Sequence, residues 1–134
     1  MAGETSQTKI ERVARRVSCH KNILIVEDDA DTAETIMFIL AMEGYGVRTV
    51  RSRDEAVIAI RHNLYNIVLL DFFMPGLSAE KFLNEAARVS PLTKIVLITA
   101  APQAEEKAAA LGLTHWLGKP FSHKDLIEGL AKIE

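Results

Sequence analysis

Four places in the chain put a charged or hydroxyl side chain directly behind an apolar run. Glu27-Asp28-Asp29 follow ILIV, Asp71 follows IVLL, Thr99 follows IVLI and Lys119 follows WLG. Brought together, the carboxylates of Glu27, Asp28 and Asp71 repel one another, and one or more must titrate high. A hard divalent cation removes the conflict. Mg²⁺ (or Mn²⁺) takes oxygen ligands, accepts one or two carboxylates and completes its shell with water and phosphate oxygens. A lysine and a hydroxyl at the same rim supply a positive charge and a donor for a further anion. The combination reads as a phosphoryl-transfer site, with acceptor carboxylate, metal, lysine clamp and hydroxyl donor. Each residue alone has an ordinary explanation: an acidic helix start, a loop lysine, a threonine satisfied by backbone. Their joint placement carries the reading.

That placement requires particular elements. From Asn22 onward, short apolar runs alternate with amphipathic stretches. The runs are 22–26, 46–50, 66–70, 94–98 and 114–117. ILIV, IVLL and IVLI lack polar alternation, as strands do when both faces of a parallel sheet are covered. Between the runs lie five predicted helices. The first spans 31–42 and stops near Gly44. Ser52 with Glu55 reads as a capping box for the second, and Ser78 caps the third. Pro102 suits the first turn of the fourth, which ends at Gly112. Ser122 with Asp125 boxes the fifth. Five β/α units with short connections predict an α/β, doubly wound, five-stranded parallel sheet with five helices. In such a sheet, function lies outside the carboxyl ends of the strands, where all four polar segments fall.

Composition sets outer bounds. The chain has 134 residues, enough for one domain and short for two. With 49% apolar and 25% charged residues, a folded core is expected rather than disorder. No apolar run approaches the roughly 20 residues of a membrane span, and no signal-peptide pattern opens the chain. The one cysteine, Cys19, has no internal partner, which fits a reducing cytoplasm. Residues 1–21 carry Lys9, Arg12, Arg15, Arg16 and Lys21 against Glu4 and Glu11, or +3; the whole chain is −2, so the remainder carries −5. An acidic body is a poor nucleic-acid binder. Residues 1–21 are read as an N-terminal extension and 22–134 as the domain. Ile10, Val13, Ala14 and Val17 fall at helical spacing, but a flexible tail is expected over a docking helix for so short a segment.

The segments ILIVEDD, IVLLDFFMPG, IVLITA and WLGKPF, in that order, resemble the response-regulator receiver domain of two-component signalling. The resemblance covers residues 22–134. It implies a flavodoxin-like sheet of strand order 2-1-3-4-5. It also implies Asp71 as phospho-acceptor, Asp28 as direct metal ligand, Glu27 as an acid acting through water, and the Phe73 backbone carbonyl as a further ligand. Thr99 and Lys119 would bind the phosphoryl oxygens, and Thr99 and Trp116 would form the switch. Trp116 stands where the family usually has tyrosine or phenylalanine, so its inward burial is expected to be restricted. A cis bond is implied at Lys119-Pro120. The acidic and basic dimerisation pattern of the commonest DNA-binding subfamily is absent around 111–115, so a monomer or weak dimer is expected.

The function implied is a phosphorylated switch rather than a classical enzyme. It catalyses its own phosphoryl transfer and dephosphorylation, is served by a sensor histidine kinase or histidine phosphotransfer protein, and signals through the face of helix four, strand five and helix five. A stand-alone protein acting on a downstream protein target, without nucleic acid or membrane, is the expectation. The alternative is a non-phosphorylated pseudo-receiver used for protein contact, against which the complete acid, threonine and lysine set counts. A nucleotide- or flavin-binding protein is disfavoured, because its glycine-rich first loop is replaced by Glu27-Asp28-Asp29-Ala30-Asp31, which repels phosphate.

Overall fold

The computed structural model describes residues 21–133. Residues 1–20 of the proposed extension, with the helical spacing at 10–17, lie outside them. Among the described residues ten elements alternate strictly: β1 (Asn22–Val26), α1 (Ala30–Met42), β2 (Gly46–Val50), α2 (Arg53–His62), β3 (Ile67–Asp71), α3 (Ala79–Val89), β4 (Lys94–Thr99), α4 (Ala104–Ala110), β5 (His115–Gly118) and α5 (His123–Ala131). All strand pairs are parallel, in the order β2-β1-β3-β4-β5. The three runs without alternation take the centre, and the less apolar β2 and β5 take the edges.

Strand alternation divides the core. Leu24, Val26, Val68 and Leu70 face α2 and α3, where Val57, Ile60 and Phe82 meet them. Ile23, Ile25, Ile67 and Leu69 face the other way, against Ile36 and Leu40 of α1 and Leu126 and Leu130 of α5. Burial on both faces anchors β1 and β3 along their length, which fixes where Glu27 and Asp71 emerge.

The helix ends follow local chemistry, with two departures from expectation. Asp29 caps α1 by accepting from the Thr32 N–H at 3.0 Å, so it belongs to the helix and not to the acidic cluster. After α1, Gly44 takes φ 94 and the Tyr45 N–H returns to the Leu40 carbonyl at 3.1 Å, as a left-handed glycine stop allows. Ser78 caps α3, and Ser122 with Asp125 forms the full box on α5. The box expected at Ser52 is open. Ser52 accepts from the Glu55 N–H, but the Glu55 carboxylate reaches one residue further back, to the Arg51 N–H at 2.7 Å. Pro102 is not in the first turn of α4; Gln103, at φ 61, caps the helix and leaves the proline outside. The third and fifth strands each start one residue later than expected, and β3, β4 and β5 each end one later, at Asp71, Thr99 and Gly118.

Candidate functional site

β1 and β3 are neighbours, with Val26 in register with Leu70. Their next residues, Glu27 and Asp71, therefore emerge side by side. Carboxylate oxygens of Glu27, Asp28 and Asp71 all lie within 4.8 Å of one another. Glu27 is 2% exposed and Asp71 6%, whereas Asp28 faces solvent. The cluster is thus acidic, closed below and open above.

Lys119 crosses into it from the β5–α5 loop. Its Nζ lies 2.8 Å from Glu27 Oε1 and 3.5 Å from Asp71 Oδ1. The loop is set by a bond from the Lys119 N–H to the Thr99 carbonyl at 2.7 Å, and Lys119-Pro120 is cis. Burial pushes the Glu27 carboxyl up to about 7; the hydrogen bond and charge of Asp71 push the same way, and Lys119 pulls against them. Glu27 is therefore first a partner of Lys119. Its other oxygen, Oε2, is buried with no hydrogen-bond partner among the described residues. An orphaned buried carboxylate oxygen beside two further acids is costly as it stands. An all-oxygen donor set, two members buried and one open, fits a hard divalent cation.

Thr99 ends β4, two strands from β1, and is fully buried. Its Oγ1 accepts from the Ala101 N–H at 3.0 Å. The oxygen is thereby fixed by backbone while the hydroxyl proton remains available to an acceptor. Trp116 lies on β5 opposite Leu97 and is 38% exposed, so its indole is at the surface rather than inside. It lines a groove with His115, Asp125, Glu128 and Lys132, between β5 and α5.

The loop after Asp71 holds Phe73 60% exposed at the rim, with its ring edge-on to Phe72 at 4.9 Å. Lys107 of α4 places its ammonium 5.6 Å from the centre of the Phe72 ring. Gly76, at φ 90, closes the turn, and a Cβ there would lie 2.7 Å from Asp54 Oδ2. Only glycine meets both conditions.

Sequence reasoning missed Arg53. Its side chain is buried at the start of α2 and bonds main-chain carbonyls of the loop after Asp71. Nothing local marks it, because an arginine behind a serine cap ordinarily reads as a solvated first-turn residue.

Comparison with known proteins bears on the fold and the family. Residues 23–131 match the response regulator receiver domain family. The transcriptional regulatory protein DltR of Streptococcus agalactiae is 36% identical over 110 residues, covering 78% of this chain and 48% of DltR. The chain spans about half the length of the curated relatives it matches. Among solved structures, the response regulator TrrA of Thermotoga maritima, in complex with Mg²⁺-BeF, superposes with a TM-score of 0.76 at 28% identity, over 85% of this chain and 99% of TrrA. The receiver domain of the sensor histidine kinase PA1611 of Pseudomonas aeruginosa, with magnesium in its active-site cleft, gives 0.76 at 26% identity over 85% and 97%. The family match spans residues 23–131, from β1 to the end of α5, and on that ground the chain belongs to the response regulator receiver domain family.

Proposed function

We propose that this protein is a phosphorylation switch whose acceptor is Asp71. The observation that carries the reading is the Lys119 ammonium held between Glu27 and Asp71 while Asp28 completes a three-carboxylate cluster. The magnesium named for TrrA and for the PA1611 receiver supports the same use of the cluster here. Asp28, Asp71 and the Phe73 carbonyl would hold Mg²⁺ or Mn²⁺, with Glu27 acting through water. Bound there, the ion neutralises charge on the carboxylates and the phosphoryl oxygens.

The donor is a phosphohistidine on a sensor kinase or phosphotransfer protein, or a small phosphodonor. An Asp71 oxygen forms the new P–O bond as the donor's bond to phosphorus breaks, P–N in a phosphohistidine, or P–O in an acyl phosphate with its carboxylate leaving. The histidine nitrogen keeps the electron pair and takes up a proton. Lys119 already faces Asp71 and neutralises the incoming oxygens, and Thr99 donates its hydroxyl to one of them. Water later attacks phosphorus, the acyl P–O bond breaks, and the Asp71 carboxylate and inorganic phosphate are released. The switch then acts through α4, β5 and α5 on a protein target, as a monomer or weak dimer in a cytoplasmic circuit.

The test is phosphoryl uptake from acetyl phosphate with Mg²⁺ and with excess chelator. Uptake of one group, lost on chelation, is the expected result. No uptake under either condition favours the pseudo-receiver, whose acidic cluster serves only contact.

A further inference from the structure

Arg53 opens α2 yet is only 3% exposed. Arginine at a helix start normally runs its stem along the surface and leaves its head in water. Here the guanidinium turns inward and crosses to the loop that follows Asp71. Nη2 donates to the carbonyls of Asp71 at 3.2 Å and Phe72 at 2.6 Å. Nη1 donates to those of Met74 at 3.2 Å and Leu77 at 3.0 Å. Nε is buried without a hydrogen-bond partner among the described residues. Taking a guanidinium out of water is expensive, and burial pulls its pKa down while the charge of Asp71 raises it. That cost is met by main-chain carbonyls of a single loop.

The four acceptors bracket Phe73. The side chain of Phe73 is exposed with its ring against Phe72, whereas those of Met74 and Leu77 pack on the core. The next residue of α2 adds to the hold: Asp54 Oδ2 accepts from the Leu77 N–H at 3.4 Å and stands against Gly76. Two consecutive residues of α2 thus tie down both ends of the loop. Only a planar fork with donors on two separate nitrogens spans carbonyls at positions 71, 72, 74 and 77; a lysine has one nitrogen to offer.

We propose that Arg53 is the positioning residue of the acceptor loop, fixing the carbonyls on either side of Phe73 so that the Phe73 carbonyl is set for the metal before any metal arrives. This rests on the phospho-acceptor reading above and deepens it. Arg53 acts through the loop and touches neither phosphoryl group nor ion.

The experiment uses the full chain, wild type and Arg53→Lys, which keeps the charge and removes the fork. Backbone order of residues 72–77 is measured by ¹⁵N relaxation without metal, and the protein is then titrated with MgCl₂ alone. In wild type the loop is expected to be as ordered as β1 before metal is added, with order parameters near ~0.85. In Arg53→Lys the loop order falls while β1 is unchanged. Mg²⁺ affinity drops about 10-fold or more, the range seen when supporting partners of a metal ligand are lost. Wild-type order and affinity in Arg53→Lys would overturn the proposal. If Arg53→Lys fails to fold, the wild-type protein still decides, because a metal-free loop with order parameters below about 0.6 is not held by Arg53. Failure of wild type to bind Mg²⁺ would instead defeat the phospho-acceptor reading, and loop order would then judge the clamp separately.

Discussion

Lys119 and Glu27 form a partly buried ion pair of 2.8 Å, although the two residues are 92 positions apart in the chain. The pair sits directly against Asp71, so the ammonium that steadies the acidic cluster is the same one available to a phosphoryl group. Lys119→Ala is expected to fold, because Glu27 escapes by taking a proton. It should lose stability by about 1–3 kcal/mol near pH 8 and by less near pH 5. Its phosphorylation from acetyl phosphate should slow at least tenfold. Urea unfolding at the two pH values checks the first part; equal losses would show that the pair is not what Lys119 contributes.

Glu27 carries a pH dependence whose sign follows from its raised pKa, about 7 against 4.5 for a free carboxyl. The folded protein holds this proton more tightly than the unfolded chain does. The stabilisation is fully present below about 4.5 and is lost as pH rises through about 7. Glu27→Gln stays neutral and removes this slope. In chelator it should match wild type near pH 4.5 and exceed it by up to about 3 kcal/mol near pH 8. Parallel stability profiles for the two proteins would refute this.

Asp28 is the exposed member of the cluster and caps no helix, a task taken by Asp29. Asp28→Ala should therefore leave stability within about 0.5 kcal/mol of wild type. Mg²⁺ affinity, followed calorimetrically, should fall by about 10-fold or more. Undiminished affinity would remove Asp28 from the ligand set.

Most of this arrangement was legible in the sequence, for physical reasons. ILIV, IVLL and IVLI could only be strands covered on both faces, and the polar residue ending each run had to appear at one rim. Ser78 and the Ser122–Asp125 box announced their helices because caps act within one turn. Glu27 was harder. Its pairing with Lys119 depends on the β5–α5 loop bringing that side chain to the end of β1, which no spacing records. Arg53 was invisible for the same reason, its four acceptors lying 18 to 24 residues away. Pro102 misled because proline is equally at home just before a helix as within its first turn, and Gln103 settled the matter by adopting a left-handed conformation.

Thr99 should carry the signal from Asp71 to β5. Its hydroxyl oxygen is held by the Ala101 N–H, and Trp116 lies part exposed three residues before Lys119. A new phosphoryl oxygen gives that hydroxyl a strong acceptor and draws it toward the site. Emission maximum and quencher access of this single tryptophan should change on phosphorylation in wild type and stay constant in Thr99→Ala. The variant should lose about 1 kcal/mol through the unpaired Ala101 N–H. A full spectral response in Thr99→Ala would move the signal to the 72–78 loop.

The acceptor itself is tested most directly by mass. Wild type and Asp71→Asn are incubated with acetyl phosphate and Mg²⁺, weighed intact, and treated with borohydride to trap any acyl phosphate for peptide mapping. The expected result is one phosphoryl group on wild type, none on Asp71→Asn, and a reduced residue at position 71. A phosphoryl group on Asp71→Asn, or a trapped site elsewhere in the chain, would contradict the account.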